Sequence, residues 1–289
     1  MPGPAIQGVQ IRLAESDEDF EACERMSHSV WGAAKRNVVP RELLKTIQLN
    51  GGIVQGAFED GRIVGFVFGF LGMRDGQLRL CSHQLGVEPA SRGRGLGIAL
   101  KRAQREEALR RGLELITWTF DPLEARNAYI NLHRLGAIAR LYDRDHYGVM
   151  EDALNAGLPT DRLEAEWWIR QPAPSNAQGE VAPAGRTGQD GNRAAPVAIA
   201  AAVKGQSVVM LSAGPDGRPE RGSLAAADAA VARIQVPRDF QALKRRSLEL
   251  AREWRMETRA AFEAALGVGL VATDFEREGW YVLTRWRRP

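Results

Sequence analysis

The sequence predicts an α/β fold built in two parts, and three observations point to it. Strand-like and helical stretches alternate through the first half in the order strand, two helices, three strands, helix, strand, helix, strand. A glycine-rich run, Arg92-Gly93-Arg94-Gly95-Leu96-Gly97, joins an apolar stretch ending in Val87-Glu88-Pro89 to a long basic helix. From Pro172 to Pro196 there is almost no bulky apolar side chain, so this stretch cannot bury a core and reads as a linker or loop. The expected division is a first domain over 1–171, a linker over 172–196, and a smaller C-terminal α/β domain over 197–289 that lacks the glycine run.

Residues 11–13 read as a short strand, after which Ser16 or Asp17 can cap a helix with Phe20, Cys23, Met26 and Val30 or Trp31 along one side. A second helix starts at Pro40 and ends at Asn50-Gly51-Gly52. The β-branched and aromatic runs Ile53–Phe58 and Arg62–Leu71 join across Glu59-Asp60-Gly61, a hairpin signal, and Leu78–Val87 adds a strand. Between Gly95 and Arg111 the apolar residues Leu96, Ala99, Leu100, Ala103 and Ala108 sit among charges, and Gly112 supplies the stop. Leu113–Phe120 is the next strand, broken by Asp121-Pro122, and a helix from about Arg126 to Leu135 stops at Gly136 before another strand. In the C-terminal part Val208–Leu211 and Ala232–Val236 read as strands. Phe240, Leu243, Leu250, Trp254 and Ala261 then recur at helical spacing as a core stripe, and Gly269–Thr273 and Trp280–Thr284 close the chain.

Length and composition, 289 residues with 44% apolar and 26% charged, suit a globular protein of two domains. A net charge of +3 is small, and the one basic run, Arg285-Trp286-Arg287-Arg288, reads as a solvated tail, so no nucleic-acid partner is expected. Cys23 and Cys81 are too few for a disulfide framework or a metal cluster. No signal-like opening and no apolar run of about 18 residues is present, so the expectation is a cytoplasmic protein without a membrane partner.

The glycine run is a cradle for pyrophosphate: glycines turn the backbone so that its N–H groups point inward, and the new helix offers unpaired donors and its positive dipole end. A Walker-type loop needs Lys and then Ser or Thr after its last glycine, whereas Ile98-Ala99-Leu100 follow Gly97. A dinucleotide fingerprint counted from Gly93 reaches Ile98 where its third glycine belongs. The spacing Arg-x-x-Gly-x-Gly after Leu85-Gly86-Val87-Glu88-Pro89 instead resembles the acyl-CoA signature of the GNAT N-acyltransferase superfamily. The element order resembles that fold over roughly residues 9–170.

This resemblance implies a mixed, mostly antiparallel sheet with flanking helices, in which the strands before and after the phosphate-binding helix are parallel. It implies acyl-CoA, acetyl or succinyl, as co-substrate and no metal. The N–H groups of Arg92, Gly93, Arg94, Gly95, Leu96 and Gly97 would bind the pyrophosphate, and Leu85, Gly86 and Val87 would pair with the pantetheine arm. Arg92, Arg94, Lys101 and Arg102 add positive charge in reach of the phosphates, although Lys101 and Arg102 equally suit a solvated helix face. In the C-terminal part, Val236-Pro237 leading into a helix echoes the order from Val87 to Phe120. That part is then either a degenerate second GNAT-like half or a structural or dimerising appendage, and a homodimer stays open.

Acylation needs a neutral amine, and with an ammonium pKa near 10.4 a base must take the proton. His83 stands two residues before Leu85 and four before Val87, so strict alternation puts all three on one face. Arylalkylamine N-acetyltransferases carry a histidine at this distance before the loop arginine, and the chain resembles them there; a hydrogen-bonded core histidine is the plain alternative. Glu88 and Asp121, at the ends of the two central strands, are further candidates for the base or are caps. Many GNAT enzymes protonate the departing thiolate with a tyrosine at the place where this chain has Leu132. Tyr129, Tyr142 and Tyr147 could substitute, Tyr142 being preferred, or the thiolate leaves unprotonated, since a thiol of pKa about 8.5 gives a tolerable anion.

The stretches Asp121-Pro122-Leu123-Glu124-Ala125-Arg126-Asn127, Tyr147-Gly148, Leu158-Pro159-Thr160-Asp161-Arg162 and Glu166-Trp167 resemble a branch of the superfamily with an added C-terminal part. Members of that branch are associated with N-acylamino-acid racemases, which implies acyl transfer to the α-amine of an amino acid. Arg126 or Arg162 would fork the substrate carboxylate; each also suits an ion pair with Asp121 or Asp161. The expected function is a small-molecule N-acyltransferase working by direct attack in a ternary complex, with backbone N–H groups near Leu85–Val87 as oxyanion donors. The alternatives are a CoA-binding or protein-interaction module without catalysis, and a nucleotide-dependent enzyme.

Overall fold

A computed structural model describes residues 6–31, 38–148, 150, 155–170, 207–223 and 229–288; the linker expected at 172–196 lies outside the described residues. The chain divides into two compact units, Met1–Trp118 with Trp168–Gln171, and Thr119–Trp167 with Pro172–Pro289. This compact division runs through Trp118, whereas the expected sequence ranges divide at 171. The cause is strand pairing, because a strand from the end of the expected first domain pairs with a C-terminal one, Ala139 with Ala272.

In the first unit, β1 (Val9–Leu13), β2 (Ile53–Glu59), β3 (Arg62–Arg74) and β4 (Gln77–Val87) form an antiparallel meander, and β5 (Leu115–Phe120), of which 115–118 belong here, runs parallel to β4. Hairpins at Asp60-Gly61 and Asp75-Gly76, with φ of 50° and 75° and of 53° and 71°, have the left-handed turn pairs that match strand twist. Helix α1 (Asp17–Trp31), whose Asp19 N–H donates to Ser16 Oγ (3.2 Å), and α2 (Arg41–Leu49) cover one face. Phe20, Cys23, Met26 and Leu44 there meet Phe66 and Phe68 of β3. On the other face, Leu96 and Leu100 of α3 (Leu96–Arg110) meet Val67 and Ala57. The parallel step from β4 to β5 requires a crossover, and α3 is that crossover.

In the second unit the strand order is β7 (Arg162–Trp168), β6 (Ile138–Asp143), β11 (Leu270–Glu276), β12 (Trp280–Arg285), β10 (Val231–Gln235), β8 (Ser207–Ala213), β9 (Pro219–Arg221). Every pairing is antiparallel except β8 with β10. The helix expected over 126–135 is a turn of α-helix, α4 (Ala125–Ala128), running into a π-helical stretch, Tyr129–Arg134. The long C-terminal helix is broken in two: α5 (Phe240–Arg246) ends where Ser247, extended at φ −153°, caps α6 (Leu248–Gly267) by accepting from the Leu250 N–H (3.1 Å). Trp254, 1% exposed, is core as expected. The echo of the first half does not extend to topology, because β12 lies between β10 and β11, whereas β4 and β5 are neighbours.

Helix α6 drives two arginines, one turn apart, onto carboxylates of the second unit. Arg255 grips Asp121 with both terminal nitrogens (2.9 and 2.5 Å), and Arg259 grips Asp161 (2.8 and 2.7 Å). Arg255 is 1% exposed, so its charge depends on that partner. Tyr281, fully buried, donates its hydroxyl to the Pro122 carbonyl (2.8 Å). Arg255→Met is expected to lower unfolding free energy by about 3 kcal/mol because Asp121 loses its bidentate partner and keeps only Arg162 at 3.6 Å, and Arg255→Met with Asp121→Asn to recover part of it. Urea denaturation measures both; a single variant as stable as the wild type would refute the dependence.

Candidate functional site

The glycine run is exposed and turned. After a short 3-10 turn, Pro89–Ser91, Gly93 and Gly95 both take φ of +83°, and nothing lies within 4 Å of where a Cβ would sit on either. Left-handed backbone at two positions explains the two glycines. Among the described residues the N–H groups of 93–98 have no main-chain acceptor; the first helical bond runs from Ala99 N–H to Gly95 C=O (3.1 Å). These donors, at the positive end of a helix of 15 residues, fit a diphosphate.

The two loop arginines are anchors more than free charges. Arg94 is bidentate on Glu59 of β2 (3.1 and 2.6 Å) and holds that carboxyl below its usual range, while Arg92 Nε donates to the Val87 carbonyl (3.2 Å). Glu88, a candidate base, has both oxygens on Arg62 Nη1 (2.7 and 2.8 Å).

His83 sits in a break of the β3–β4 ladder. Phe68 pairs with Gln84 and Gly69 with Ser82, so His83 is an extra residue. A bulge places consecutive residues on one side. Gln84 accepts from Ser27 of α1 (3.1 Å), and the His83 ring lies edge-on to Phe68 (5.4 Å) and tilted to Phe70 (6.0 Å), whereas Leu85 and Val87 pack under α3. The expectation that His83, Leu85 and Val87 share a face is corrected by this one-residue slip. The His83 ring is exposed, and desolvation by its neighbours keeps its pKa below the ordinary 6.5, so the ring is neutral at pH 7 and able to accept a proton.

Lys101 is neither on a solvated face nor aimed at the loop. Its ammonium is buried, 7% exposed, donating to Ser82 Oγ (2.8 Å) and lying 3.8 Å from the centre of the Trp118 ring. Ser82 in turn donates to Gln104 Oε1 (2.7 Å). Burial lowers the amine's pKa to about 7. Ser82 on β4 and Trp118 on β5 each stand one residue beyond Cys81 and Thr117, the end of the β4–β5 pairing among the described residues. The sequence signal was present in the helix: Lys101, Gln104 and Ala108 follow at i, i+3 and i+7, one face, which apolar counting alone passes over.

The remaining predicted residues belong to the second unit. Tyr142 donates its hydroxyl to Asp161 (2.7 Å), and burial together with that carboxylate raises its pKa. It is not poised to release a proton at neutral pH. Asp161 is itself partly desolvated, but Arg259, the Tyr142 hydroxyl and the Asp145 N–H hold it ionised below its usual range. Arg162 is 8% exposed and spent on the Asp161 carbonyl (2.8 Å), Asn155 Oδ1 (2.8 Å) and Asp121 (3.6 Å). Arg126 is exposed on α4. Leu132 is buried, 1% exposed. Tyr129 stacks on His133 (4.7 Å) and accepts from Arg277 (3.1 Å), while the Tyr147 hydroxyl lies 3.2 Å from Thr119 Oγ1. Asp121, bound by Arg255, serves as its counter-ion.

Residues 18–137, less than half of the chain, match the acetyltransferase (GNAT) family, and the mixed, mostly antiparallel sheet with flanking helices agrees with that match. No curated protein matches the chain. Solved structures similar to it include yncA, a putative acetyltransferase from Salmonella typhimurium with its cofactor acetyl-CoA (21% identity, covering 59% of this chain and 99% of that one, TM-score 0.45). The ribosomal-protein-S18-alanine N-acetyltransferase from Escherichia coli is similar at 16% identity, with 58% and 97% coverage and a TM-score of 0.44. The ribosomal-protein-alanine N-acetyltransferase from Brucella melitensis is similar at 20% identity, with 54% and 98% coverage and a TM-score of 0.43. Among the described residues no helix is long and apolar enough to cross a membrane, and no group of three or more His, Cys, Asp or Glu side chains could hold a metal ion.

The buried amine has a measurable signature. Below pH 7 both folded and unfolded chains carry its proton and folding bears the full cost of burying the charge. Between pH 7 and the ordinary 10.5 the unfolded chain holds a proton that the folded one has released, so the cost fades and stability rises with pH. Relative to Lys101→Met, wild-type stability is expected to climb by at most about 1.4 kcal/mol per pH unit above pH 7, and to be the lower of the two at pH 6. Parallel urea midpoints from pH 6 to 9 would show that the amine is not buried as a neutral group.

Proposed function

We propose that the chain is an acyl-CoA-dependent N-acyltransferase that moves an acetyl or succinyl group from a CoA thioester to a primary amine, the α-amine of an amino acid, by direct attack in a ternary complex. The observation that carries this reading is the exposed row of main-chain donors from Gly93 to Ile98 at the head of α3, on a stretch matched by the acetyltransferase family. Such a row binds the diphosphate of a coenzyme without side-chain charge. His83 takes the proton of the attacking amine, a role that its neutral ring suits; Glu88, fixed by Arg62, is less free for it. The strand edge Leu85–Val87 lies between His83 and the loop, where a pantetheine arm would run and main-chain N–H groups would meet the oxyanion. Arg162 is committed to its neighbours, whereas Arg126 is exposed on α4 and keeps its guanidinium available for a carboxylate. A cytoplasmic enzyme without nucleic-acid or membrane partner agrees with these features.

The second reading, a coenzyme-binding or protein-interaction module without catalysis, is favoured by Leu132 and by the Tyr142 hydroxyl being held on Asp161. Thiol release from acetyl-CoA and succinyl-CoA against pooled amino acids separates the two, since coenzyme binding in calorimetry without thiol release supports the coenzyme-binding module, and absence of binding sinks the enzyme and leaves only a protein-interaction module. His83→Ala is expected to lower kcat about 100-fold and to remove a rate loss that sets in below pH 6.5, where protonation disables the wild-type ring. Unchanged turnover across the pH range would take the role from His83.

A further inference from the structure

The cluster of Lys101, Ser82, Gln104 and Trp118 lies within the first unit and has no part in holding a diphosphate. A buried ammonium ordinarily has a carboxylate beside it. Lys101 has none; its partners are a hydroxyl and an indole face. Several ionisable groups on the elements packed around it have partners elsewhere. Arg79 donates to the Arg74 carbonyl, Glu107 pairs with Arg110 and Arg111, Arg94 pairs with Glu59, and His83 lies against Phe68 and Phe70. Gln55 of β2 faces the Ala103 carbonyl (3.4 Å).

We propose, resting on the acyl-CoA reading above, that Ser82 and Lys101 form the proton source for the departing CoA thiolate, in the place of the tyrosine that this chain lacks at Leu132. The pair bridges the two central strands where their pairing ends, Ser82 from β4 and Trp118 under the amine from β5, so a donor stands at the mouth of the fork. As the amine nitrogen bonds to the acyl carbon and the carbon–sulfur bond breaks, the Ser82 hydroxyl turns from Gln104 Oε1 to sulfur, gives it its proton and takes one from the Lys101 ammonium. His83 meanwhile holds the proton lost by the attacking amine and passes it to solvent, and once the thiol has left, a proton returns to the buried Lys101 through the Ser82 hydroxyl, which closes the cycle. With the amine at about 7 and a thiol near 8.5, transfer toward sulfur is downhill. An arginine could not serve, since guanidinium does not give up its proton.

Calorimetric titration of CoA and of desulfo-CoA, which lacks the sulfur, tests the pair without turnover. The wild type is expected to bind CoA about tenfold more tightly than desulfo-CoA, as a hydrogen bond to sulfur from a charge-backed hydroxyl implies. In Ser82→Ala and in Lys101→Met the preference is expected to shrink to about twofold or less, with desulfo-CoA affinity unchanged. Where turnover of acetyl-CoA is observed, kcat in both variants should fall about 100-fold with KM for acetyl-CoA held, and Lys101→Met should lose the decline in rate above pH 7. Equal wild-type affinity for the two ligands, or variants that keep the wild-type preference, overturns the inference while leaving the coenzyme reading standing. Binding of neither ligand by the wild type overturns both.

Discussion

The first unit depends on a parallel strand pair held over a very short length. β4 and β5 meet at Leu80 with Ile116 and Cys81 with Thr117, and a parallel pair of consecutive strands demands a crossover that returns to the same end of the sheet. Helix α3 is therefore forced to start beyond the carboxyl end of β4, which is where the left-handed glycines Gly93 and Gly95 turn the chain. The same constraint brings the inward face of α3 over the fork, so that Lys101 and Gln104 reach Ser82. Donor row, fork and buried amine are consequences of one topological step.

The second unit is organised by opposite means. Its carboxylates Asp121 and Asp161 are satisfied from a helix more than 90 residues later in the chain, by Arg255 and Arg259. Buried guanidinium–carboxylate pairs contribute little net stability over apolar packing, but removing one member is costly, so they select a single docking of α6 over its alternatives. That choice also settles Tyr142, whose hydroxyl is drawn into the same set by Asp161. A residue that looks free in sequence is consumed by a partner that no local pattern announces.

What could be read from sequence follows this difference. Element order in the first half, the hairpin at Asp60-Gly61, the stop at Gly112 and the turned backbone of the glycine run rest on local chemistry, and local chemistry is visible in order along the chain. The bulge at His83 is not, since it arises from how β3 pairs with β4, and it displaced the histidine from the face that alternation assigns. Strand β7 was legible in its alternation of Arg162, Glu164 and Glu166 with Leu163, Ala165 and Trp167, although the expected elements did not include it, while β9 spans only three residues. The break at Ser247 was legible only as a cap, in a stripe otherwise continuous in apolar spacing.

Composition sharpens the reading of Lys101. The chain holds five lysines among 39 basic residues, so arginine is its ordinary cation, and arginine is what it places on Glu59, Asp121, Asp161 and Glu88. Each of those positions has a carboxylate to fork, and a permanently charged plane suits it. Position 101 has no carboxylate, little solvent and one hydroxyl, surroundings in which a permanent charge would be penalised at every pH. An amine can discharge there and a guanidinium cannot. Packing alone would be served better by leucine or methionine at a site this dry, so a titratable group retained at such a place has a physical use in losing and regaining its proton.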